Sequence, residues 1–184
     1  MSARPPRPQF DAPPSPIAAA GPSFPAAAAD PECQILQGLR ATPQLFVDLR
    51  AASGTEFHVQ KQLRQRYPDD LVRAALTLWD LRRRGAAKFT RAADMWFDRR
   101  GLEQATSEAV ARYKAGRFTG ATWDLCCGIG GDALALASRH PVTAVDVSPS
   151  ACLRTLWNAE IYGVVGNVSV DCRDIGNVEV GENL

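Results

Sequence analysis

The spacing of hydrophobic residues along this chain changes near residue 120. Before that point, apolar residues recur every three or four positions, which predicts amphipathic helices. After it, short apolar and β-branched runs alternate with helical segments, an order typical of a parallel sheet with crossover helices. The sequence therefore predicts a helical region followed by β–α units.

Three short helices are predicted over 42–54, 55–67 and 69–85, from their caps, their prolines and one apolar stripe each. A fourth helix precedes the first strand and ends at Gly116. Its predicted inner face consists of Leu102, Ala105, Ala109, Val110 and Tyr113.

A strand, a glycine loop, a helix and a second strand follow one another in residues 123–147. Gly128 and Gly130 predict a tight turn, because glycine lets the backbone approach a ligand where a Cβ would clash. The N–H groups of the helix that follows face polar ligand atoms. Asp146 ends the second strand, where a carboxylate can accept hydrogen bonds from a ribose. These features predict a βαβ nucleotide-binding unit.

A second α/β unit follows Asp146. Ser148 and Pro149 predict the start of a helix that ends at Gly163, and residues 168–172 predict a third strand. The inward positions of this helix are predicted to be Leu153, Leu156, Trp157 and Ile161.

Two classes of cofactor fit the glycine loop. Residues 128–133 satisfy the dinucleotide pattern G-x-G-x-x-G/A, and Asp146 lies 18 residues after Gly128, near the spacing of a ribose-binding acid. Asp124, however, is an acid at the end of the first strand, where an apolar residue would avoid a desolvation cost. A dinucleotide fold has no general need of that acid.

With Asp124 in place, the chain resembles the class I S-adenosylmethionine-dependent methyltransferases, whose first motif is an acid, a short spacer and G-x-G. Three segments, 124–132 (DLCCGIGGD), 144–149 (AVDVSP) and 158–164 (NAEIYGV), look like the RNA cap guanine-N2 methyltransferases of the trimethylguanosine synthase type. They are also similar to bacterial methyltransferases that carry a THUMP-like domain. The resemblance covers roughly residues 93–175.

The resemblance implies S-adenosylmethionine as the cofactor and no metal. Asp124 would support the loop around the methionine moiety, Asp146 would hold the ribose hydroxyls, and Asp174 would lie beside the adenine amino group. The implied cofactor-binding residues are Asp124, Cys126, Gly128, Gly130, Asp146 and Asp174. Cys126 departs from the families, since many members carry a first glycine there.

The same resemblance implies a seven-stranded sheet of order 3-2-1-4-5-7-6, of which this sequence supplies three strands. The catalytic motif of these families, Asp or Asn followed by Pro-Pro and an aromatic residue, is absent, so no catalytic residue can be carried over. We therefore expect an amino-terminal part of an enzyme, with a missing segment or a partner covering strand one. The predicted fold class is an α/β, Rossmann-like methyltransferase sheet, incomplete with three parallel strands, preceded by a small helical region.

The predicted organisation has three parts. Residues 1–32 hold most of the 13 prolines together with alanine runs, which predicts a disordered tail. Residues 33–92 form the helical region, and 93–184 form a partial S-adenosylmethionine-binding domain.

Composition adds limits to this interpretation. Five cysteines without C-x-x-C spacing indicate neither a disulfide framework nor a zinc site. No apolar stretch reaches the length of a membrane span, and the N-terminus lacks an apolar signal core. A cytoplasmic protein without membrane contact is therefore expected.

Charge is distributed unevenly. Residues 61–117 hold 14 basic and 7 acidic groups, a net charge of +7, whereas 118–184 hold 3 and 8, a net charge of −5. The basic segment predicts an RNA-facing surface, because arginine suits phosphate contact and base stacking. The alternative is a solvated helix end whose cations favour the helix dipole. The candidate RNA-facing residues are Arg82, Arg83, Arg84, Lys88 and Arg91, with Phe89 and Trp96.

Trp96 and Phe97 precede the fourth helix and have two interpretations. They are candidate lid residues over the cofactor, by resemblance, or they pack that helix against the sheet.

Two functions of different class follow. The first is an S-adenosylmethionine-dependent methyltransferase acting on RNA by placing a nucleophilic nitrogen in line with the sulfonium carbon. The second is a non-catalytic, RNA-binding or partner-binding remnant of a methyltransferase. A nicotinamide-dependent enzyme is a distant third.

Overall fold

The computed structural model describes residues 29–177. Most of the predicted disordered tail, residues 1–28, lies outside the described residues. The helices are α1 Pro31–Ala41, α2 Pro43–Ala51, α3 Glu56–Leu63, α4 Asp69–Gly85, α5 Arg99–Gln104, α6 Glu108–Ala115, α7 Gly131–Ala137 and α8 Pro149–Tyr162. The strands are β1 Thr122–Leu125, β2 Val142–Asp146 and β3 Val168–Cys172.

The three strands form one parallel sheet in the order β1-β2-β3. Leu125 pairs with Val145, and Asp146 pairs with Cys172, so the carboxyl ends of all three strands lie at one edge. The predicted fold class, a three-stranded parallel sheet preceded by helices, is confirmed. Between residues 29 and 177, β1 has a strand neighbour on one side.

The helical region contains α1, which the sequence analysis did not predict. Asp30 caps it by accepting a hydrogen bond from the Cys33 N–H at 2.9 Å, and Pro31 occupies its first turn. These local signals were hidden by the proline-rich composition that precedes them. α1 packs against α4 and α8, which joins the helical region to the sheet.

The predicted fourth helix is wrong in its length and in the later part of its buried face, although Leu102 is buried as predicted. The chain forms two helices, α5 and α6, which are separated by residues 105–107. Val110 and Tyr113 are 51% and 78% exposed, whereas Ala111 and Ala115 are buried. Because α6 packs closely on α7, its buried apolar residues are the small Ala111 and Ala115 rather than the larger ones.

None of the helices within residues 29–177 combines the length and the apolar character that a bilayer crossing needs.

Candidate functional site

The candidate site residues lie at the carboxyl edge of the sheet. β1 leads directly into Cys126 and the glycine loop, β2 ends at Asp146, and Asp174 follows β3 by two residues. Asp174 is exposed, and its Oδ1 accepts a hydrogen bond from the Gly176 N–H at 2.8 Å. The parallel register therefore brings all six predicted residues to one edge.

The loop between β1 and α7 has a left-handed backbone at three positions. The φ angles of Cys126, Gly128 and Gly130 are 66°, 58° and 86°. Cys126 is the one residue other than glycine with positive φ in the described part of the chain. Its conformation is one that glycine adopts at no steric cost, which agrees with the glycine of the resembled families.

The two glycines of the loop serve different purposes. A Cβ on Gly128 would meet no atom within 4 Å, so that side of the loop is open. A Cβ on Gly130 would lie 3.2 to 3.3 Å from atoms of Thr155 on α8. The expectation that Gly130 leaves room for a ligand is therefore incomplete, because its lack of a Cβ also lets α8 approach the loop.

Asp146 ties β2 to the loop. Its Oδ2 accepts a hydrogen bond from the Gly128 N–H at 2.9 Å, and its Oδ1 accepts one from the Ser148 N–H at 2.9 Å. A carboxylate has about four acceptor sites, so two remain for further donors. The side chain can thus hold the loop and accept hydrogen bonds from a ligand at the same time.

Two carboxylates beside the loop have buried oxygens without a hydrogen-bond partner in the described structure, Asp124 Oδ2 and Asp132 Oδ1. Burial and then the nearby Asp132 raise the pKa of Asp124 to about 6, although the Ala133 N–H hydrogen bond opposes this shift. Lys114 Nζ lies 2.6 Å from Asp132 Oδ2, and Thr106 Oγ1 donates to the same oxygen at 2.9 Å. The cluster therefore still offers acceptors that suit a cationic group.

Two buried polar residues of α8, absent from the predicted site, also contact the loop. Thr155 Oγ1 donates to Gly128 O at 3.0 Å, and Asn158 Nδ2 donates to Ile129 O at 2.9 Å. Asn158 lies in the 158–164 segment that carries the family resemblance, but the sequence gives no sign of its contacts. The predicted inner face of α8 is correct at Leu153 and Trp157, which are buried.

The predicted RNA-facing surface needs correction, because several of its residues support the fold. Arg82 donates to Met95 O and Asp94 O, both at 2.9 Å, and its guanidinium lies over the rings of Phe46 and Trp96. Burial lowers the pKa of Arg82 to about 10.

Lys88 is used in the same way as Arg82. Its Nζ donates to three main-chain carbonyls, those of Leu102, Glu103 and Ala105. Phe89 is buried. Arg83 and Arg91 remain exposed and make no side-chain hydrogen bond or ion pair within residues 29–177.

Trp96 and Phe97 are both buried. The Trp96 ring packs edge-on against Trp157 of α8 at a centroid distance of 4.8 Å, and Phe97 lies 5.9 Å from Phe89. These contacts favour the packing interpretation over the lid.

A cavity of about 350 Å³ lies between α1, α4 and residues 97–99, and none of the six candidate residues lines it. Glu32, Asp98, Arg99 and Arg154 contribute charges of both signs to its wall. The cavity is therefore separate from the edge at the strand ends.

One family model matches part of the chain. Residues 120–180 match the family model described as RNA cap guanine-N2 methyltransferase. No curated protein matches the sequence.

Solved structures of methyltransferases are also similar to the chain. A proposed methyltransferase from Porphyromonas gingivalis W83 has 18% identity and a TM-score of 0.49, covering 76% of this chain and 34% of that one. Coclaurine N-methyltransferase, bound to N-methylheliamine and S-adenosylhomocysteine, has 18% identity and a TM-score of 0.38, covering 85% and 48%. A proposed S-adenosylmethionine-dependent methyltransferase from Methanococcus maripaludis has 21% identity and a TM-score of 0.36, covering 39% and 35%. The chain thus spans between a third and a half of the length of these proteins.

Proposed function

We propose that this chain is a class I S-adenosylmethionine-dependent methyltransferase, that it binds S-adenosylmethionine at the carboxyl edge of β1–β3, and that it serves methyl transfer to RNA. The partial family match and the parallel sheet support this proposal. The cofactor supplies the methyl group when it is bound. The residues that would hold it are Asp124, Cys126, Gly128, Gly130, Asp146 and Asp174.

The observation that carries the proposal is the pair of buried, unpartnered carboxylate oxygens on Asp124 and Asp132. Lys114 pairs with one oxygen of Asp132, but the other oxygen and Asp124 Oδ2 are buried without a donor. Such burial is costly, and a cationic ligand would relieve that cost. S-adenosylmethionine carries an ammonium and a sulfonium cation. A nicotinamide dinucleotide would bring the anionic pyrophosphate to the same loop, where these two carboxylates would repel it.

The other candidate residues fit the rest of this cofactor. Asp146 has acceptor sites left for the ribose hydroxyls after binding Gly128 and Ser148. Asp174 lies after the neighbouring strand, where the adenine is expected by resemblance. The open side of Gly128 leaves space for a ligand against the loop.

RNA is the proposed substrate on two grounds. One is the description of the matched family. The other is the net charge of +7 in residues 61–117, of which Arg83 and Arg91 present exposed guanidinium groups.

Calorimetry with S-adenosylhomocysteine and NADH tests the cofactor class. We expect measurable affinity for the first and none for the second. The matched variants are Asp124→Asn, which removes the charge at the loop, and Asp174→Asn, which removes it at the exposed adenine end. Tighter binding of NADH than of S-adenosylhomocysteine would contradict the proposal.

Transfer of a labelled methyl group to RNA separates an enzyme from a non-catalytic remnant. We expect label in RNA when the chain, together with the missing segment or partner that completes its sheet, is combined with S-adenosylmethionine and RNA. We expect none with Asp146→Ala, whose carboxylate would hold the ribose. Cofactor and RNA binding without transfer would favour the non-catalytic alternative.

A further inference from the structure

Two polar side chains on α8 hold the glycine loop from the side opposite its open face. Thr155 and Asn158 are completely buried, and they lie three residues apart on one face of the helix. Thr155 Oγ1 donates to Gly128 O at 3.0 Å, and Asn158 Nδ2 donates to Ile129 O at 2.9 Å. Two successive carbonyl groups of the loop are therefore fixed by one helix.

Asn158 also binds a third segment of the chain. Its Oδ1 accepts a hydrogen bond from the Trp96 N–H at 2.8 Å, and its Nδ2 donates to Trp96 O at 3.0 Å. The side chain thus uses three of its four hydrogen-bonding sites. Residue 96 lies two positions before Asp98, the N-cap of α5. The loop, α8 and the start of α5 are consequently joined at one buried amide.

The peptide between Gly128 and Ile129 shows what this support achieves. A trans peptide directs its carbonyl and its N–H to opposite sides. Since Gly128 O faces Thr155, the Ile129 N–H points away from α8, and it makes no hydrogen bond within the described residues. A free N–H donor is thereby directed away from the supporting helix.

Burying two polar side chains in a helix that packs against a sheet has a cost unless each is fully bonded. A leucine or valine at either position would leave the carbonyl of Gly128 or of Ile129 without its donor. The bonds made by Thr155 and Asn158 therefore satisfy both side chains and define the conformation of the loop.

We propose that Thr155 and Asn158 are positioning residues that orient the 128–129 peptide so that the loop binds the amino-acid half of the cofactor. The proposal rests on the proposed function and adds the residues that act through the loop. Neither side chain touches the cofactor in this arrangement. Their removal should affect recognition of the amino-acid half, and leave recognition of the nucleoside half at Asp146 and Asp174.

The test compares two ligands on the full chain, S-adenosylhomocysteine and 5′-methylthioadenosine, which lacks the amino-acid part. Thr155→Val keeps the methyl group beside Gly130 and replaces the hydroxyl with a second methyl group of similar size. Asn158→Leu keeps a similar volume and removes all three hydrogen bonds. We expect each variant to weaken the binding of S-adenosylhomocysteine by about tenfold or more, and the binding of 5′-methylthioadenosine by less than about twofold.

The ratio of the two dissociation constants separates positioning from stability. A variant that only lowers the folded fraction reduces the apparent affinity for both ligands equally and leaves the ratio unchanged. Leu153→Ala is the matched control, because it removes a buried apolar side chain from the same helix and should lower the melting temperature without changing the ratio.

The outcomes distinguish this proposal from the proposed function. A rise in the ratio of the S-adenosylhomocysteine dissociation constant to that of 5′-methylthioadenosine for Thr155→Val and Asn158→Leu, but not for Leu153→Ala, supports positioning. Equal losses of affinity for the two ligands overturn the positioning role, while the cofactor assignment stands. If the parent chain binds neither ligand, the proposed function and the positioning role fail together.

Discussion

The edge at the strand ends and the helical region use their charged side chains in opposite ways. At the strand ends, buried oxygens of Asp124 and Asp132 have no hydrogen-bond partner in the described structure. In the helical region, Arg82 and Lys88 have their donors directed to main-chain carbonyls within the fold. Each of the two carboxylates keeps one buried oxygen without a donor, although Lys114 pairs with the other oxygen of Asp132. Arg82 and Lys88, by contrast, already have carbonyl acceptors.

The difference shows that a count of charges in a sequence does not measure the charges available to a ligand. Residues 61–117 have the larger net charge, but Arg82 and Lys88 cannot bind phosphate without giving up their structural bonds. The carboxylates at the loop are few, but each has one buried oxygen without a hydrogen-bond partner in the described structure, and this is the stronger indication of a ligand.

The largest effect on stability is expected for Arg82→Ala. The variant loses two hydrogen bonds to main-chain carbonyls and the packing of the guanidinium between Phe46 and Trp96. We expect the free energy of unfolding to fall by about 3 kcal/mol. The matched control is Arg83→Ala on the same helix, which should change it by less than about 0.5 kcal/mol. Urea denaturation of both variants measures the contrast, and equal small effects would contradict the structural role of Arg82.

Asp124→Asn should give effects of opposite sign on stability and on binding. The pKa of Asp124 in the folded chain is about 6, above the ordinary value of 3.8. The folded state therefore holds the proton more tightly, and the associated stability is lost as pH rises from about 4 through 6. We expect the variant to keep its stability over this pH range. Its free energy of unfolding should exceed that of the parent by about 2 kcal/mol at pH 7.5, but not at pH 4.

The same substitution should weaken the binding of S-adenosylhomocysteine, because the ammonium group of this ligand loses an anionic acceptor. Urea denaturation at the two pH values and calorimetry at pH 7.5 measure both effects. Asp174→Asn provides the control for stability, since Asp174 is exposed. A variant that is less stable than the parent at pH 7.5 would mean that the Asp124 carboxylate is satisfied in the fold.

Gly130→Ala and Gly128→Ala should separate folding from binding within one loop. Both residues have positive φ, so each alanine adds roughly 1 kcal/mol of backbone strain. At Gly130 the new Cβ also crowds Thr155, and we expect a total loss of about 2 kcal/mol. At Gly128 the Cβ enters open space, so the greater effect should be on the affinity for S-adenosylhomocysteine. Thermal unfolding with and without this ligand compares the two variants, and identical profiles would contradict the distinction.

Local signals predicted much of the fold. α4 has its predicted bounds, because Pro68, the acidic first turn and Gly85 are adjacent to the residues they control. The glycine loop and the strand-ending acid Asp146 were predicted for the same reason. Such features depend on backbone conformation within a few residues.

The features that the sequence did not predict depend on distant partners. The buried face of α6 was wrong because contact with α7 favours Ala111 and Ala115 over larger residues. The structural role of Arg82 depends on Phe46, 36 positions away, and on Trp96. The contacts of Asn158 with the loop likewise join segments that periodicity treats separately.

The smallest expected effect concerns RNA, and it tests which cations of the helical region are free. Arg83→Ala combined with Arg91→Ala removes two exposed guanidinium groups that make no side-chain bond in the described structure. The affinity of RNA should fall with salt at a log–log slope of about −0.7 for each phosphate neutralised on a single strand. The double variant should flatten that slope by up to about 1.4, with circular dichroism unchanged. Because phosphate contacts carry no sequence information, the loss of affinity should be similar for unrelated RNA oligomers.

The control is Lys61→Ala, which removes an exposed cation on α3 and should leave the slope unchanged. If the double variant kept the slope of the parent, these arginines would be solvated and would not contact RNA phosphates.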